Sequence, residues 1–229
     1  MKTILTPEEL QSLRAINTPT VSNAIERLGF RDSHLHATDG SIHCQFPEMA
    51  PIVGYACTLA VRASQPGSRP KHEVLRPYWD HFANYPSPRI VVAQELDDPP
   101  VGAFWGEVNA NIHRALGCVG LITNGTVRDL DEVRALGFQF LAGGLSVSHA
   151  YAHLEDFDKP VKVGGLTMSP GDLIHADKHG AIVIPHAIAR DVAAAAQAVE
   201  RYERPMIDLC KSPNFSTAKL EQLMRNEVG

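Results

Sequence analysis

The chain has 229 residues, of which 44% are hydrophobic and 21% charged. This composition is ordinary for a globular protein with a sizeable core. The formal net charge of -5 argues against a nucleic-acid partner bound through a basic face. No apolar run approaches the roughly 20 residues that cross a bilayer, and residues 1–16 are too charged for a signal peptide. The four cysteines lack CxxC spacing, so we expect a cytoplasmic protein without disulfides or a membrane partner.

Helical patterns mark both ends of the chain. Thr6 and Glu9 have the spacing of a capping box and predict the start of a first helix. A second helix is predicted to follow at once, and two more close the chain. No convincing linker interrupts the sequence. We therefore expect one domain over residues 1–229, with N-terminal helices at about 6–29 and C-terminal helices at about 186–226.

The chain between the N-terminal helices and residue 89 is less regular. Residues 31–50 read as loop and include a histidine pair at His34 and His36. Gly54 to Ala63 is apolar and β-branched, which predicts a strand. Residues 64–89 predict a mobile loop and a short helix broken at Pro77. Loops of this length inside a compact domain are often functional, so we expect this segment to cover a site.

Residues 89–141 alternate between buried strands and helices. The predicted elements are strands at Arg89–Glu95, Cys118–Thr123 and Phe138–Leu141, helices at Glu107–Leu116 and Asp129–Leu136, and a turn at Asn124-Gly125. Such alternation with short connections predicts parallel strands joined by right-handed crossovers. Ligands bind beyond the carboxyl ends of such strands. Glu107 and the Arg128-Asp129 pair both fall there.

Residues 160–185 carry several short strand patterns. Turn sequences at Gly164-Gly165, Pro170-Gly171 and Lys178-His179-Gly180 separate them, and Ala181–Pro185 is a buried strand. Together with the central unit, these strands predict an α/β fold.

The residues from Gly106 to Glu132 have the chemistry of an anion and metal site. Arg128 offers a planar fork of donors that suits a carboxylate or a 2-oxo acid. Asp129 offers the hard oxygen ligands that Mg²⁺ or Mn²⁺ prefers, and Glu132, three residues later, is placed to hold a metal-bound water. The backbone N–H groups of Val108 and Asn109 open a helix and suit a bound anion.

The same residues also allow a purely structural interpretation. Thr126 to Asp129 fits a capping box with Asp129 in the cap role. Asp131 and Glu132 would then complement the helix dipole, and Arg128 would form an i, i+4 surface pair with Glu132. The residues alone leave both interpretations open.

The spacing resembles that of a known family. The RraA-like family, which includes the class II 4-hydroxy-4-methyl-2-oxoglutarate aldolases, has a characteristic spacing. An acidic residue is followed by twenty residues, then Arg-Asp, then two residues and a second acidic residue. Glu107, Arg128, Asp129 and Glu132 match it without a gap. Residues 170–185 are similar to the family's closing strand pair, and the resemblance extends over roughly residues 15–200.

The resemblance implies a fold and a division of roles. The fold would be a layered sandwich of mixed sheets and helices of the swivelling β/β/α type, assembled as a homotrimer or a dimer of trimers with the site near a subunit boundary. Asp129 would hold Mg²⁺ or Mn²⁺ largely through waters. Arg128 would bind the pyruvate part and steady its enolate, and Glu107 would position water or move protons. Backbone N–H groups around Gly106 to Asn109 would bind the substrate carboxylate.

The resemblance also implies an activity, with alternatives. We expect a metal-dependent aldolase, a lyase that cleaves a 4-hydroxy-2-oxo acid to pyruvate and a second carbonyl compound, with oxaloacetate decarboxylation as a possible side reaction. The alternatives are a non-catalytic regulator that binds a ribonuclease, and a hydratase or isomerase of 2-oxo acids on the same metal site. GxGxxG is missing after every predicted strand, which argues against a dinucleotide cofactor.

Two regions depart from the family pattern. Residues 146–153 stand where the aldolases often carry a glycine-threonine-lysine feature, so His149 or Tyr151 would replace a substrate contact. The 64–89 segment, with Arg76 and Trp79, looks unlike the compact aldolases. It is predicted to shape the far end of the substrate site.

Overall fold

The computed structural model describes residues 4–30 and 36–225. Within them the helices are α1 (Pro7–Arg14), α2 (Thr18–Arg27), α3 (Lys71–Ala83), α4 (Glu107–Ala115), α5 (Leu130–Leu136), α6 (Val192–Lys211) and α7 (Thr217–Arg225). The strands are β1 (His43–Cys44), β2 (Ile52–Arg62), β3 (Arg89–Glu95), β4 (Ala103–Trp105), β5 (Cys118–Val127), β6 (Gln139–Leu145), β7 (His153–Phe157), β8 (Val161–Val163), β9 (Leu166–Met168), β10 (Leu173–Asp177) and β11 (Gly180–Ile184). No helix in the described ranges is long and apolar enough to cross a membrane.

One mixed sheet dominates the structure. Its order is β1-β6-β5-β3-β2-β10-β11, with β4 beside β5 and β7 beside β2. The neighbouring strands β2, β3, β5 and β6 run parallel, as does β4 with β5. Strands β1, β7, β10 and β11 pair antiparallel, and β8 and β9 form a separate hairpin. The predicted parallel centre of the sheet is confirmed.

The two faces of the sheet are covered by different layers. Successive side chains of a strand point to opposite faces. On β2, Cys57 and Leu59 pack in the core formed with α3, α4 and α5, whereas Ile52 and Ala56 pack against the β8–β9 hairpin. Helices α1, α2 and α6 pack on β2, β10 and β11. The predicted α/β fold of layered sheets and helices is confirmed.

The predicted N-terminal helices are confirmed, and their caps explain their bounds. The Thr6 side chain accepts from the Glu9 N–H while the Glu9 carboxylate accepts from the Thr6 N–H, which completes the capping box. Asn17 caps α2 by accepting from the Thr20 N–H at 2.9 Å. Of the predicted histidine pair, His34 lies outside the described residues.

The predicted turn at Asn124-Gly125 is wrong, because β5 continues through it to Val127. The Asn124 carboxamide accepts from the Glu95 N–H at 2.8 Å and donates to the Glu95 carbonyl at 2.9 Å. These two hydrogen bonds replace those that a neighbouring strand would make, and they keep β5 extended at this point. The pairing of β5 with β6 shifts its register between Thr123 and Thr126, so the Asn-Gly sequence forms an irregularity within the strand.

The predicted break at Pro77 is also wrong, since α3 runs through it. Pro77 removes one backbone hydrogen bond and costs about 3 kcal/mol in a helix. Val74, Tyr78 and Phe82 are buried on one face of α3, and each such burial contributes about 1.5–3 kcal/mol. The sum of these burials exceeds the cost of the proline.

The C-terminal helices differ from prediction in their bounds. The helix expected from His186 begins only at Val192, because turns closed by the Pro185 and Ile188 carbonyls precede it. It then passes Pro205 and reaches Lys211. Helix α7 spans Thr217–Arg225, and the predicted bound near residue 226 lies outside the described residues.

Candidate functional site

The start of α4 and the end of β5, which carry the predicted site residues, meet at the carboxyl ends of the parallel strands. Strands β4 and β5 are parallel, and Trp105 pairs with Val127. The Arg128 N–H donates to the Trp105 carbonyl at 3.0 Å. Gly106, which opens α4, therefore lies beside Arg128, as expected for carboxyl ends of neighbouring parallel strands.

Asp129 turns its side chain toward α4 rather than toward its own helix. Its backbone is left-handed, with φ 57° and ψ 46°, and its side chain does not cap α5. Instead Oδ2 accepts from the Glu107 N–H at 2.9 Å. The capping-box interpretation of Thr126 to Asp129 is therefore wrong. A left-handed residue other than glycine costs about 1–2 kcal/mol, and such strain is typical of functional sites.

Gly106 is required by the close approach of this carboxylate. A Cβ added to Gly106 would overlap Asp129 Oδ2 and lie 3.1 Å from Arg128 Cγ. Only glycine allows the two segments to come this near.

Arg128 and Asp129 form a half-exposed pair. Arg128 Nε lies 3.5 Å from Asp129 Oδ2, with side-chain exposures of 37% and 34%. The guanidinium also donates to the Val147 carbonyl at 3.5 Å. The remaining donors of the fork stay available to an anion.

The start of α4 adds backbone donors to this pair. The first helical hydrogen bond of α4 is from the Ala110 N–H to the Gly106 carbonyl. Gly106 occupies the cap position without a capping side chain, and the Glu107 N–H is taken by Asp129. The N–H groups of Val108 and Asn109 thus have no partner within the helix. Unpaired N–H groups at a helix start, together with the helix dipole, suit a bound anion.

A cavity of about 360 Å³ opens in front of these groups. This is within the range of small-molecule sites, about 300–1,000 Å³. Five of the predicted site residues line it: Gly106, Val108, Asn109, Arg128 and Asp129. Glu107 and Glu132 are exposed and are not among the lining residues. Their assigned roles remain predictions.

The segment 64–89 forms a wall of the same cavity, as its length suggested. It contributes Gly67, Ser68, Arg69, Lys71, Val74, Leu75 and Trp79. His149 also lines the cavity. Tyr151 is 59% exposed and is not among the lining residues. The other large apolar side chains of the lining are Phe104, Ile112 and Leu154. Sequence reasoning missed these three residues, because isolated apolar side chains in regular elements give no signal beyond core packing.

A buried pair behind the cavity was also missed. His113 on α4 is fully buried, and its Nδ1 lies 2.6 Å from the Asn109 carbonyl. Its Nε2 is hydrogen-bonded to the Tyr78 hydroxyl of α3. Burial lowers the pKa of His113 to about 4 and raises the pKa of Tyr78 well above its usual value. The only signal in the sequence is a histidine on the apolar face of α4.

Several further histidine and aromatic residues have structural roles. His175 is buried, with Nδ1 at 3.0 Å from Thr18 Oγ1. His179 Nδ1 lies 3.0 Å from the Asp177 carboxylate, which also accepts from the Thr18 N–H. Trp105 packs against the His113 ring, with centroids 4.3 Å apart. These residues tie helices to the sheet.

The donor set at the site fits a hydrated divalent ion. No group of three or more His, Cys, Asp or Glu residues in the described ranges is placed to hold a metal ion. Asp129, however, uses one oxygen for Glu107 and still presents a partly exposed carboxylate to the cavity. Mg²⁺ commonly keeps several waters and binds through one or two carboxylates plus its substrate. A single carboxylate beside an anion site meets that need.

The sheet order and this edge site define a layered α/β protein with a small-molecule cavity. A family model described as RraA-like, Aldolase/RraA, matches residues 18–183. The chain therefore belongs to the RraA-like family.

Several distant relatives cover most of the chain. A protein of Halalkalibacterium halodurans named "Putative 4-hydroxy-4-methyl-2-oxoglutarate aldolase" is 25% identical over 177 residues, which are 77% of this chain and 76% of that protein. An uncharacterized protein from Pseudomonas syringae pv. tomato has a solved structure with TM-score 0.76 and 26% identity, covering 99% of this chain and 97% of that one. Streptomyces coelicolor RraAS2, described as an unusual member of the RNase ES inhibitor RraA protein family, gives TM-score 0.69 at 22% identity, over 88% of this chain and 96% of that one. This last likeness supports the fold alone.

Proposed function

We propose that the protein is a divalent-metal-dependent aldolase that cleaves a 4-hydroxy-2-oxo acid to pyruvate and a second carbonyl compound. The observation that carries the proposal is the convergence of Arg128, Asp129 and the open start of α4 on one cavity. These groups offer a planar cation, a hard oxygen ligand and two backbone donors. That set suits the carboxylate and the 2-oxo group of one small substrate.

Each residue is assigned a role from its position in the cavity. The N–H groups of Val108 and Asn109 bind the substrate carboxylate at the helix N-terminus. The Arg128 fork lies beside them and stabilises the oxygen that becomes negative as the carbon–carbon bond breaks. Mg²⁺ or Mn²⁺, held by Asp129 and waters, supplies Lewis-acid stabilisation of the same charge when bound. Glu107, exposed at the start of α4, orients a water that accepts the 4-hydroxyl proton.

The same arrangement suits oxaloacetate decarboxylation. Loss of CO₂ from oxaloacetate leaves the enolate of pyruvate, which the Arg128 guanidinium would stabilise equally well. A hydratase or isomerase of 2-oxo acids would use the same charge stabilisation. Release of pyruvate from a 4-hydroxy-2-oxo acid distinguishes the lyase from a hydratase or an isomerase, which break no carbon–carbon bond. Decarboxylation also releases pyruvate, but from oxaloacetate and together with CO₂.

The test compares two aspartates at the start of α5. Asp129→Asn keeps an acceptor for the Glu107 N–H and tolerates a left-handed backbone, but it removes the charge. We expect pyruvate release from 4-hydroxy-2-oxo acids to fall at least about 100-fold, the loss typical when stabilisation of transition-state charge is removed. Asp131→Asn is the matched control, because the Asp131 side chain is 95% exposed and does not line the cavity. EDTA should abolish turnover of the wild type, and added Mg²⁺ or Mn²⁺ should restore it.

Wild-type turnover in Asp129→Asn would refute the role assigned to this carboxylate. Absence of pyruvate from every 2-oxo acid, together with tight binding to a ribonuclease, would favour a non-catalytic regulator.

A further inference from the structure

The cavity extends well beyond the anion site, along α4. Ile112 lines it five residues after Glu107, which is about 7.5 Å along the axis at about 1.5 Å per residue. A pyruvate group is the size of a few water molecules and fills only the end at Gly106. The rest of the cavity leaves room for another part of the ligand.

Helix α3 closes this far end. The Tyr78 hydroxyl is hydrogen-bonded to His113, the residue after Ile112, and the two rings lie 5.6 Å apart. This contact fixes α3 beside the second turn of α4. Val74, Leu75 and Trp79 of α3 line the cavity there.

Large apolar side chains line much of the cavity, and we define Val74, Leu75, Trp79, Phe104, Ile112 and Leu154 as its apolar compartment. Val74 and Leu154 are nearly buried, at 9% and 5% exposure. Leu75, Trp79, Phe104 and Ile112 are only partly buried, although they lie on core-facing elements. Their uncovered surface faces the cavity. A ligand group that covers it gains the hydrophobic effect.

The charged residues near this compartment do not favour a carboxylate there. Arg69 and Lys71 are exposed, so water screens their charge at the mouth. Glu155 also lines the cavity, and it is already paired with Arg62 at 3.3 Å and His153 at 3.1 Å. A second substrate carboxylate would be desolvated against apolar side chains, which is costly without a buried partner.

We propose that the substrate carries an apolar group, aryl or branched alkyl, on C4, and that the apolar compartment selects it. This inference rests on the proposed aldolase function. Cleavage breaks the C3–C4 bond, and its electron pair passes to C3 as the enolate, which a proton converts to pyruvate. The 4-hydroxyl loses its proton and becomes the carbonyl of an aryl or branched aldehyde. No oxidant or reductant is needed.

The kinetic test uses three substrates that share the same 2-oxo acid group. They are 4-hydroxy-2-oxo acids with a phenyl, a methyl or a carboxyl group on C4, each assayed by pyruvate release with Mg²⁺. We expect kcat/KM for the phenyl substrate to exceed that for the other two at least about 10-fold, since even one methylene in an apolar pocket is worth about 10–200-fold. Leu75→Ala should remove about 10-fold from the phenyl substrate and leave the methyl substrate unchanged. Leu136→Ala is the control, because Leu136 is a partly buried leucine packed on the same core and does not line the cavity.

A binding test needs no turnover. The chain has two tryptophans, of which Trp79 lines the cavity and Trp105 is not among the lining residues. Phenylpyruvate should quench tryptophan fluorescence at concentrations at least about 10-fold below pyruvate, and Trp79→Phe should lose the signal.

The outcomes separate the two proposals. Preference for the carboxyl substrate, or equal binding of phenylpyruvate and pyruvate, overturns the apolar selectivity but leaves the aldolase in place. Pyruvate release from none of the three substrates overturns the aldolase, and the fluorescence result then decides on the compartment by itself.

Discussion

At the scale of single residues, the site depends on two backbone positions. Asp129 adopts a left-handed conformation that aims its carboxylate at the Glu107 N–H. Gly106 lacks the side chain that would block this approach. The spacing of Arg128 and Asp129 was visible in the sequence, but the direction of the carboxylate was not. Residues 126–129 have a sequence that suits a helix cap and a functional site equally well. Only the contact of Asp129 with α4 distinguishes the two interpretations.

Gly106→Ala tests that close approach. The new methyl group should displace Asp129 and Arg128, and a displacement of about 1 Å can lower activity about 100-fold. We expect a large loss of kcat/KM for pyruvate release with little change in the unfolding temperature. Gly40→Ala is the control, because an added Cβ there meets nothing within 4 Å. Wild-type kinetics in Gly106→Ala would show that the approach of the two segments is not needed.

At the scale of elements, α3 and α4 are joined by one buried polar chain. His113 Nδ1 donates to the Asn109 carbonyl at 2.6 Å, which leaves Nε2 to accept from the Tyr78 hydroxyl. This pattern is that of a neutral imidazole. Burial lowers its pKa to about 4 from 6.5. The His113–Tyr78 hydrogen bond fixes α3, and with it this wall of the cavity, against α4.

This buried histidine predicts a pH dependence of stability. Between pH 6.5 and about 4, the unfolded chain binds a proton at His113 that the folded chain excludes. The free energy of unfolding should therefore be fully retained above pH 6.5 and fall as the pH drops, by about 3 kcal/mol in all at about 1.4 kcal/mol per pKa unit. Burial lowers the pKa of His175 as well, so His175 also contributes to the decrease in the free energy of unfolding as the pH drops. Urea unfolding across this range measures the effect.

His113→Gln is the matched variant. Glutamine can accept from Tyr78 and does not titrate. Its free energy of unfolding should depend less steeply on pH than that of the wild type. Equal slopes in the two proteins would show that His113 is not the group responsible.

At the scale of the whole molecule, exposed apolar residues collect around the site. Val108, Leu145, Val147 and Tyr151 are 72%, 59%, 96% and 59% exposed. Val108 lines the cavity, and the Val147 carbonyl contacts Arg128. Contiguous exposed apolar surface is typical of an interface. We propose that this surface forms the subunit boundary of a trimer or a dimer of trimers.

Light scattering tests the assembly. The chain of 25.0 kDa should elute with three or six times that mass, and Val147→Asp should reduce it to the monomer, because it buries a charge without a partner. Met224→Asp is the control, since Met224 is similarly exposed at 55% on α7. A monomeric wild type would refute the proposal.

The sequence by itself determined the local structure and the chemistry of the site. The capping box at Thr6, the strand at residues 89–95 and the helix starting at Glu107 depend on neighbouring residues in the chain. Local hydrogen bonds and hydrophobic periodicity are sufficient to predict them. The identities of Arg128 and Asp129 fixed which chemistry the site can support.

Only the tertiary structure decided how distant segments meet. β5 passes through Asn124-Gly125 because Glu95 bonds the Asn124 side chain, and α3 passes through Pro77 because its apolar face is buried. The apolar compartment exists because α3 packs against the second turn of α4. These outcomes depend on contacts between residues far apart in the chain, which no local pattern records.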